Sequence, residues 1–170
     1  TWTGPGRTIL ESGLDGVVAV HSLSKRSNLA GVRVGFYAGD AELVAYLQEI
    51  RKHVGMMVPG PAQAAAVAAL DDDEHVELQR TRYRGRLELL ASVLSDWSGD
   101  TVPLPDGAFY LWIPVDDGWA YTERLARDGG ALVSPGEFYG PDGARFVRVA
   151  VVQPDDRIQL VADRLAAARG

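Results

Sequence analysis

Cysteine is absent from this 170-residue chain, which excludes disulfides, thiolate metal sites and a cysteine nucleophile. Lysine is nearly absent: of 17 basic residues only Lys25 and Lys52 are lysines, the rest being arginines. A lysine in a distinctive setting therefore stands out. Long apolar runs are missing as well. The longest, Ala64 to Leu70, is far too short to span a bilayer. The net charge of -6 argues against a nucleic-acid partner, because neutralising phosphates needs a basic surface. His21, His53 and His75 are scattered without metal-ligand spacing, so no metal is expected, and no GxGxxG or Walker pattern occurs. The opening residues, Thr1 to Gly6, have neither the basic nor the apolar region of a signal peptide, and no initiator methionine. The expectation is a cytoplasmic protein with no membrane segment, and a chain processed or cut from a longer one.

What is present reads as a folded α/β protein. Apolar residues make up 46% and charged residues 24%, enough for a real core. Val17 to His21 and Val34 to Ala38 read as strands. Asp40 is a good N-cap for a helix over Ala41 to Arg51, with Leu43, Leu47 and Ile50 on one face. Met56 to Pro61 reads as a loop and Ala62 to Leu70 as an alanine-rich helix. The acidic run Asp71 to Glu74 reads as a solvated cap rather than a metal site. A long helix follows, about Val76 to Trp97, with Leu87, Leu90, Val93, Leu94 and Trp97 as its buried stripe. Then come a strand over Ala108 to Val115, a helix over Trp119 to Asp128 ended by Gly129 and Gly130, and a short strand at Ala131 to Val133. A strand over Phe146 to Val152 and a helix opened by Pro154 complete the alternation.

The chemistry concentrates at Ser22-Leu23-Ser24-Lys25, directly after the first strand. A lysine amine condenses with an aldehyde to form a Schiff base. Two serine hydroxyls and an arginine, Arg33, are suitable ligands for a phosphate dianion. Together they would anchor a phosphorylated aldehyde, which is pyridoxal 5'-phosphate (PLP). The bland alternatives are a surface lysine at position 25 and an ordinary ion pair at Arg33. Asn28 either lines a pocket or forms a turn. Arg148 lies inside an apolar strand and needs a partner, either a substrate carboxylate or a structural Asp or Glu. Tyr110 and Phe138 line the pocket or, more safely, pack in the core. Gly136 and Gly140 read as turn glycines.

The pattern Ser-x-Ser-Lys-x5-Gly-x-Arg-x-Gly, running from Ser22 to Gly35, resembles the PLP-lysine motif of the class I/II aminotransferases, which have the fold-type I architecture. Further along, Gly107 to Trp112, Ser134 to Gly140 and Phe146 to Ala150 are similar to three segments of that family's small domain, in the right order. The resemblance covers essentially the whole chain. It implies that Lys25 is catalytic and binds the cofactor covalently, that Ser22, Ser24 and Arg33 hold its phosphate, and that Arg148 clamps the substrate α-carboxylate. It also implies amino-acid and keto-acid substrates, a homodimer, and a chain that ends the large domain (1–75) and contains the small C-terminal domain (76–170). The wider stretch His21 to Gly31, with Met56 to Pro61, resembles the succinyldiaminopimelate aminotransferases of actinobacteria, which use glutamate as amino donor. A β-lyase or transaminase of the same fold acting on another amino acid, or a non-catalytic remnant, are the alternatives.

The family also needs an aspartate that keeps the pyridine nitrogen protonated, on a strand upstream of the lysine. Only 24 residues precede Lys25, and neither Glu11 nor Asp15 has the Asp-x-x-Tyr setting of that strand. The 170 residues alone are therefore expected to be inactive or nearly so. The gene is expected to encode an Asp-x-x-Tyr strand motif ahead of Thr1. Sequencing that region checks this, and mass spectrometry showing Thr1 to be the authentic start would contradict it.

Overall fold

The computed structural model describes Trp2, Gly4 and residues 6–168. They fall into two compact units, one ending at Gln79, the other starting at Arg80 and also taking in Trp2 and Gly4.

The first unit is built on an antiparallel hairpin of β1 (Val18–Ser22) and β2 (Gly35–Gly39), with Val18 opposite Gly39 and Ser22 opposite Gly35. A single helical turn, α1 (Leu23–Arg26), leaves the end of β1. Asp40 caps α2 (Ala41–His53), accepting the amide N–H groups of Glu42 at 2.9 Å and Leu43 at 3.1 Å. It also accepts the amide of Gly16 at 2.8 Å. These bonds, the one from Gly16 first, hold its carboxyl below the usual carboxylate range. The stripe of Leu43, Leu47 and Ile50 forms as read, but only Leu47 is half-buried, Leu43 and Ile50 stay exposed, and α2 has no fully buried residue. Helix α3 (Gly60–Leu70) begins two residues earlier than the sequence suggested. Pro61 sits in its first turn, where no N–H is required, so the proline starts the helix instead of delaying it. The acidic run caps as expected: the Asp72 carboxylate accepts from the Glu74 amide at 2.8 Å and contacts the His75 ring at 2.9 Å.

The second unit holds the core. It contains α4 (Glu74–Ser98) from Arg80 onward, β3 (Tyr110–Pro114), α5 (Gly118–Gly129), β4 (Ser134–Pro135), β5 (Phe146–Ala150) and α6 (Asp155–Ala167). The sheet order is β3-β5-β4, and both pairings are antiparallel. Alternate residues of β3 and β5 (Leu111, Ile113, Val147 and Val149) are buried against Leu87 and Leu94 of α4, Leu125 of α5, and Ile158 and Leu165 of α6. Each such side chain stabilises the fold by about 1.5–3 kcal/mol. Trp2 joins this core, its amide donating to the Asp106 carbonyl at 2.9 Å and its carbonyl accepting from Arg80 at 3.2 Å. In α4 the buried stripe gains Tyr83 and Ala91, while Val93 and Trp97 are only partly buried.

Two sequence expectations are corrected here. Ala131–Val133 is not a strand: the chain leaves α5 through Gly130 in the left-handed region (φ 67), Leu132 is 89% exposed, and only Ser134 and Pro135 reach pairing register with β5. Gly136 is a packing glycine, not a turn glycine. A Cβ there would lie 2.2 Å from the Gly143 carbonyl oxygen, and one on Gly143 would lie 2.1 Å from that of Gly136. Gly140, at φ 123, is the true turn residue of the pair.

Because backbone, not a flexible side chain, blocks the site, Gly136→Ala is expected to destabilise the protein by about 2 kcal/mol or more. Urea or thermal unfolding checks this, and a variant that unfolds with the parent would contradict the close approach.

Candidate active site

The end of β1 turns directly into α1 because Ser22, extended at φ -133, caps it. Its hydroxyl accepts the Ser24 amide N–H at 3.2 Å and donates to the Ser24 hydroxyl at 3.0 Å. Leu23, fully buried, anchors the turn, and Lys25 follows on the exposed side. The hairpin then brings Arg33 back. Ser22 pairs with Gly35, and the Leu23 amide donates to the Val34 carbonyl at 3.3 Å. Arg33 therefore sits on the strand entry running beside the two serines. It takes a left-handed conformation (φ 56), and its guanidinium donates to the Ala30 carbonyl at 3.0 Å. Asn28 is also left-handed (φ 57) and exposed, a conformation asparagine tolerates better than most residues. Two hydroxyls, an amine and a guanidinium on one turn and its neighbouring strap are all donors. That donor set fits a phosphate dianion on an aldehyde.

Arg26 was not singled out in the sequence, yet it fastens this turn. Its guanidinium donates to the Ala69 carbonyl at 2.8 Å, to the Ser27 hydroxyl at 3.0 Å, and to the Asp73 carboxylate. The Asp73 side chain is 84% exposed, so the ion pair is screened and contributes little. The half-buried bond to the carbonyl at the end of α3 matters more. No spacing rule pairs position 26 with positions 69 and 73; only the fold does.

In the second unit, Arg148 lies on the non-core face of β5, opposite Trp112 on one side and Ser134 on the other. Its guanidinium carbon stands 4.6 Å from the Tyr110 ring centre and 4.7 Å from that of Tyr139. Its Nε is buried without a hydrogen-bond partner. Among the described residues no carboxylate pairs with Arg148. A buried guanidinium N–H without an acceptor is costly, and the structural Asp or Glu that would relieve it is not there. Tyr110 packs both on the core and on Arg148. Phe138 is not a core residue: it is 65% exposed and meets Trp119 edge-on. Tyr139 had no role in the sequence reading, although the two-residue period of β3 and β5 already puts Tyr110, Trp112 and Arg148 on one face.

Residues 3–165 match the family aminotransferase class I and II. The chain is 49% identical over 152 residues to the 4-dedimethylamino-4-oxo-anhydrotetracycline transaminase OxyQ of Streptomyces rimosus, covering 89% of this chain and 42% of that protein. It is 34% identical over 155 residues to the LL-diaminopimelate aminotransferase of Aquifex aeolicus, covering 89% and 40%. A crystal structure of an aminotransferase from Neisseria meningitidis superposes with a TM-score of 0.78 at 34% identity, over 92% of this chain and 42% of that one. The chain thus spans about two fifths of the length of the relatives it matches.

Removing the latch on the Lys25 turn, Arg26→Ala is expected to cost about 1–3 kcal/mol, with Arg26→Lys intermediate. Faster hydrogen exchange at the Ser27 and Leu29 amides, which both bond the Leu23 carbonyl, would be the local signature. Unchanged exchange there would show that Arg26 does not hold the turn.

Proposed function

As the chain belongs to the class I and II aminotransferases, PLP-dependent enzymes of fold-type I, we propose that the whole protein moves an amino group between an amino acid and a keto acid. The observation that carries this reading is the donor turn: Lys25 beside two serine hydroxyls 3.0 Å apart, with Arg33 returned alongside by the hairpin. Ser22, Ser24 and Arg33 would hold the cofactor phosphate, and Lys25 would be its covalent attachment. When bound, the cofactor supplies an aldehyde carbon and a ring that withdraws electrons from the substrate α-carbon. Once the substrate amino group displaces it from the cofactor, the freed Lys25 amine would take the proton from that carbon and return it, as a general base and then acid. Arg148 binds the substrate carboxylate two-pronged through its terminal N–H groups. Asn28 is the residue of this turn assigned to the substrate side. The protein is taken to be a cytoplasmic homodimer, as the family affinity suggests. Among the described residues no helix is long and apolar enough to cross a membrane.

For the substrate, we propose glutamate as donor and N-succinyl-2-amino-6-ketopimelate as acceptor. Support comes from the His21 to Gly31 stretch and from the LL-diaminopimelate aminotransferases among the relatives. A second reading rests on the higher identity to OxyQ, whose name records transamination of a keto group on anhydrotetracycline. A keto-acceptor panel including both compounds separates the two.

The full-length protein with PLP is expected to absorb visible light. Lys25→Ala should abolish that band and lower turnover by at least about a hundredfold. Ser24→Ala should weaken PLP binding by about tenfold or more, the size of one hydrogen bond to a charged group. Retention of the band in Lys25→Ala would sink the assignment.

A further inference from the structure

Resting on the reading of Arg148 as the carboxylate ligand, we propose that Tyr110 and Tyr139 are its positioning residues. The two rings hold the guanidinium plane fixed, so that its terminal N–H groups stay aimed at an incoming α-carboxylate.

An unpaired arginine side chain has about 2 kcal/mol of rotamer entropy to lose when it first meets a ligand. Here much of that freedom is already gone. The guanidinium carbon is flanked at nearly equal distances, 4.6 and 4.7 Å, by two ring centres. Rings cannot accept the in-plane N–H hydrogens as a carboxylate would, so they restrain the group without satisfying it. The orphaned, buried Nε is the sign of this. An Asp or Glu in the same place would fix the side chain equally well, but would neutralise it and compete with substrate.

Both rings are supported from behind. Tyr110 lies 4.5 Å from Phe109, which stacks at 4.9 Å on Tyr83 of α4. On the other side Tyr139 meets Trp112 edge-on at 5.7 Å, and Trp112 stacks on Phe146 at 5.2 Å and 15°. The guanidinium thus interrupts a continuous aromatic series drawn from α4, β3, β5 and the turn after β4. The backbone is bent to build it. Ala108, just before Phe109 and Tyr110, is held at φ 63, which costs a non-glycine residue about 1–2 kcal/mol. Such strain persists where the surroundings over-determine it, often beside a working site. Tyr139 is 51% exposed, so core stability does not require its ring.

The test uses the full-length, PLP-loaded protein and reads KM and kcat for the amino donor, together with calorimetric Kd for a keto acid. Tyr139→Leu and Tyr110→Leu are expected to raise KM and Kd about five- to tenfold each, with kcat little changed. Tyr139→Phe and Tyr110→Phe, which keep the ring face, should stay within about twofold of the parent. In an Arg148→Gln background the leucine changes should have no further effect. If Arg148→Gln itself leaves KM and Kd unchanged, the carboxylate reading fails and takes this proposal with it. If Arg148→Gln weakens binding but the leucine variants do not, or weaken it equally in the Arg148→Gln background, the tyrosines are not positioning residues and the Arg148 reading stands. Should Tyr110→Leu fail to fold, Tyr139→Leu decides alone, its melting curve expected to match the parent.

Discussion

One face of the β3-β5 pair must be dry. Leu111, Ile113, Val147 and Val149 are buried against α4, α5 and α6, and the side-chain period of a strand is two. The residues between them are therefore forced onto the opposite face. That is how an arginine comes to sit in the middle of the sequence Phe-Val-Arg-Val-Ala without being in the core. The same requirement aligns Tyr110 and Trp112 with it across the ladder. Slipping the register by one residue would exchange the two faces, driving the guanidinium into the helices at a cost far above any gain. The position of the proposed carboxylate ligand is thus a consequence of core burial.

The close approach of Gly136 and Gly143 acts alongside it. With no Cβ at either position, the segment after β4 closes tightly over the start of β5, and the Tyr139 ring reaches the Arg148 guanidinium. A larger residue at either glycine would lift the segment and open the aromatic enclosure.

The unit that carries Lys25 is held together by different means. Ala19, Leu23 and Val34 are its buried apolar residues, whereas Val20, Met57 and Val67 are well exposed. Polar fastenings do much of the local work: the Asp40 carboxylate gathers the amides of Gly16, Glu42 and Leu43, and Arg26 ties α1 to the end of α3. These directional bonds fix the angle of the short turn bearing the lysine, which four residues of helix could not do by themselves, since a lone turn is far below the length at which helices persist.

Local chemistry was legible without coordinates. The order Ser22, Ser24, Lys25 and Arg33, the caps at Asp40 and Asp72, the apolar stripe of α4 and the alternation around Arg148 are all short-range patterns, set by helix and strand periods and by side chains that bond their own backbone. The failures were equally physical. Ala131 to Val133 has the composition of a strand but lacks a partner in reach, and Gly136 resembles any turn glycine until Gly143 is seen against it. Phe138 is apolar, and nothing local says that it stays in solvent. The pairing of Arg26 with Ala69 and Asp73, and the contacts of Arg148 with Tyr110 and Tyr139, join residues 9 to 47 positions apart. Sequence by itself determined which groups are present and what chemistry they favour. Which of them meet was decided by tertiary structure, because long-range contacts follow from how the whole apolar surface is buried and not from any one segment's preference.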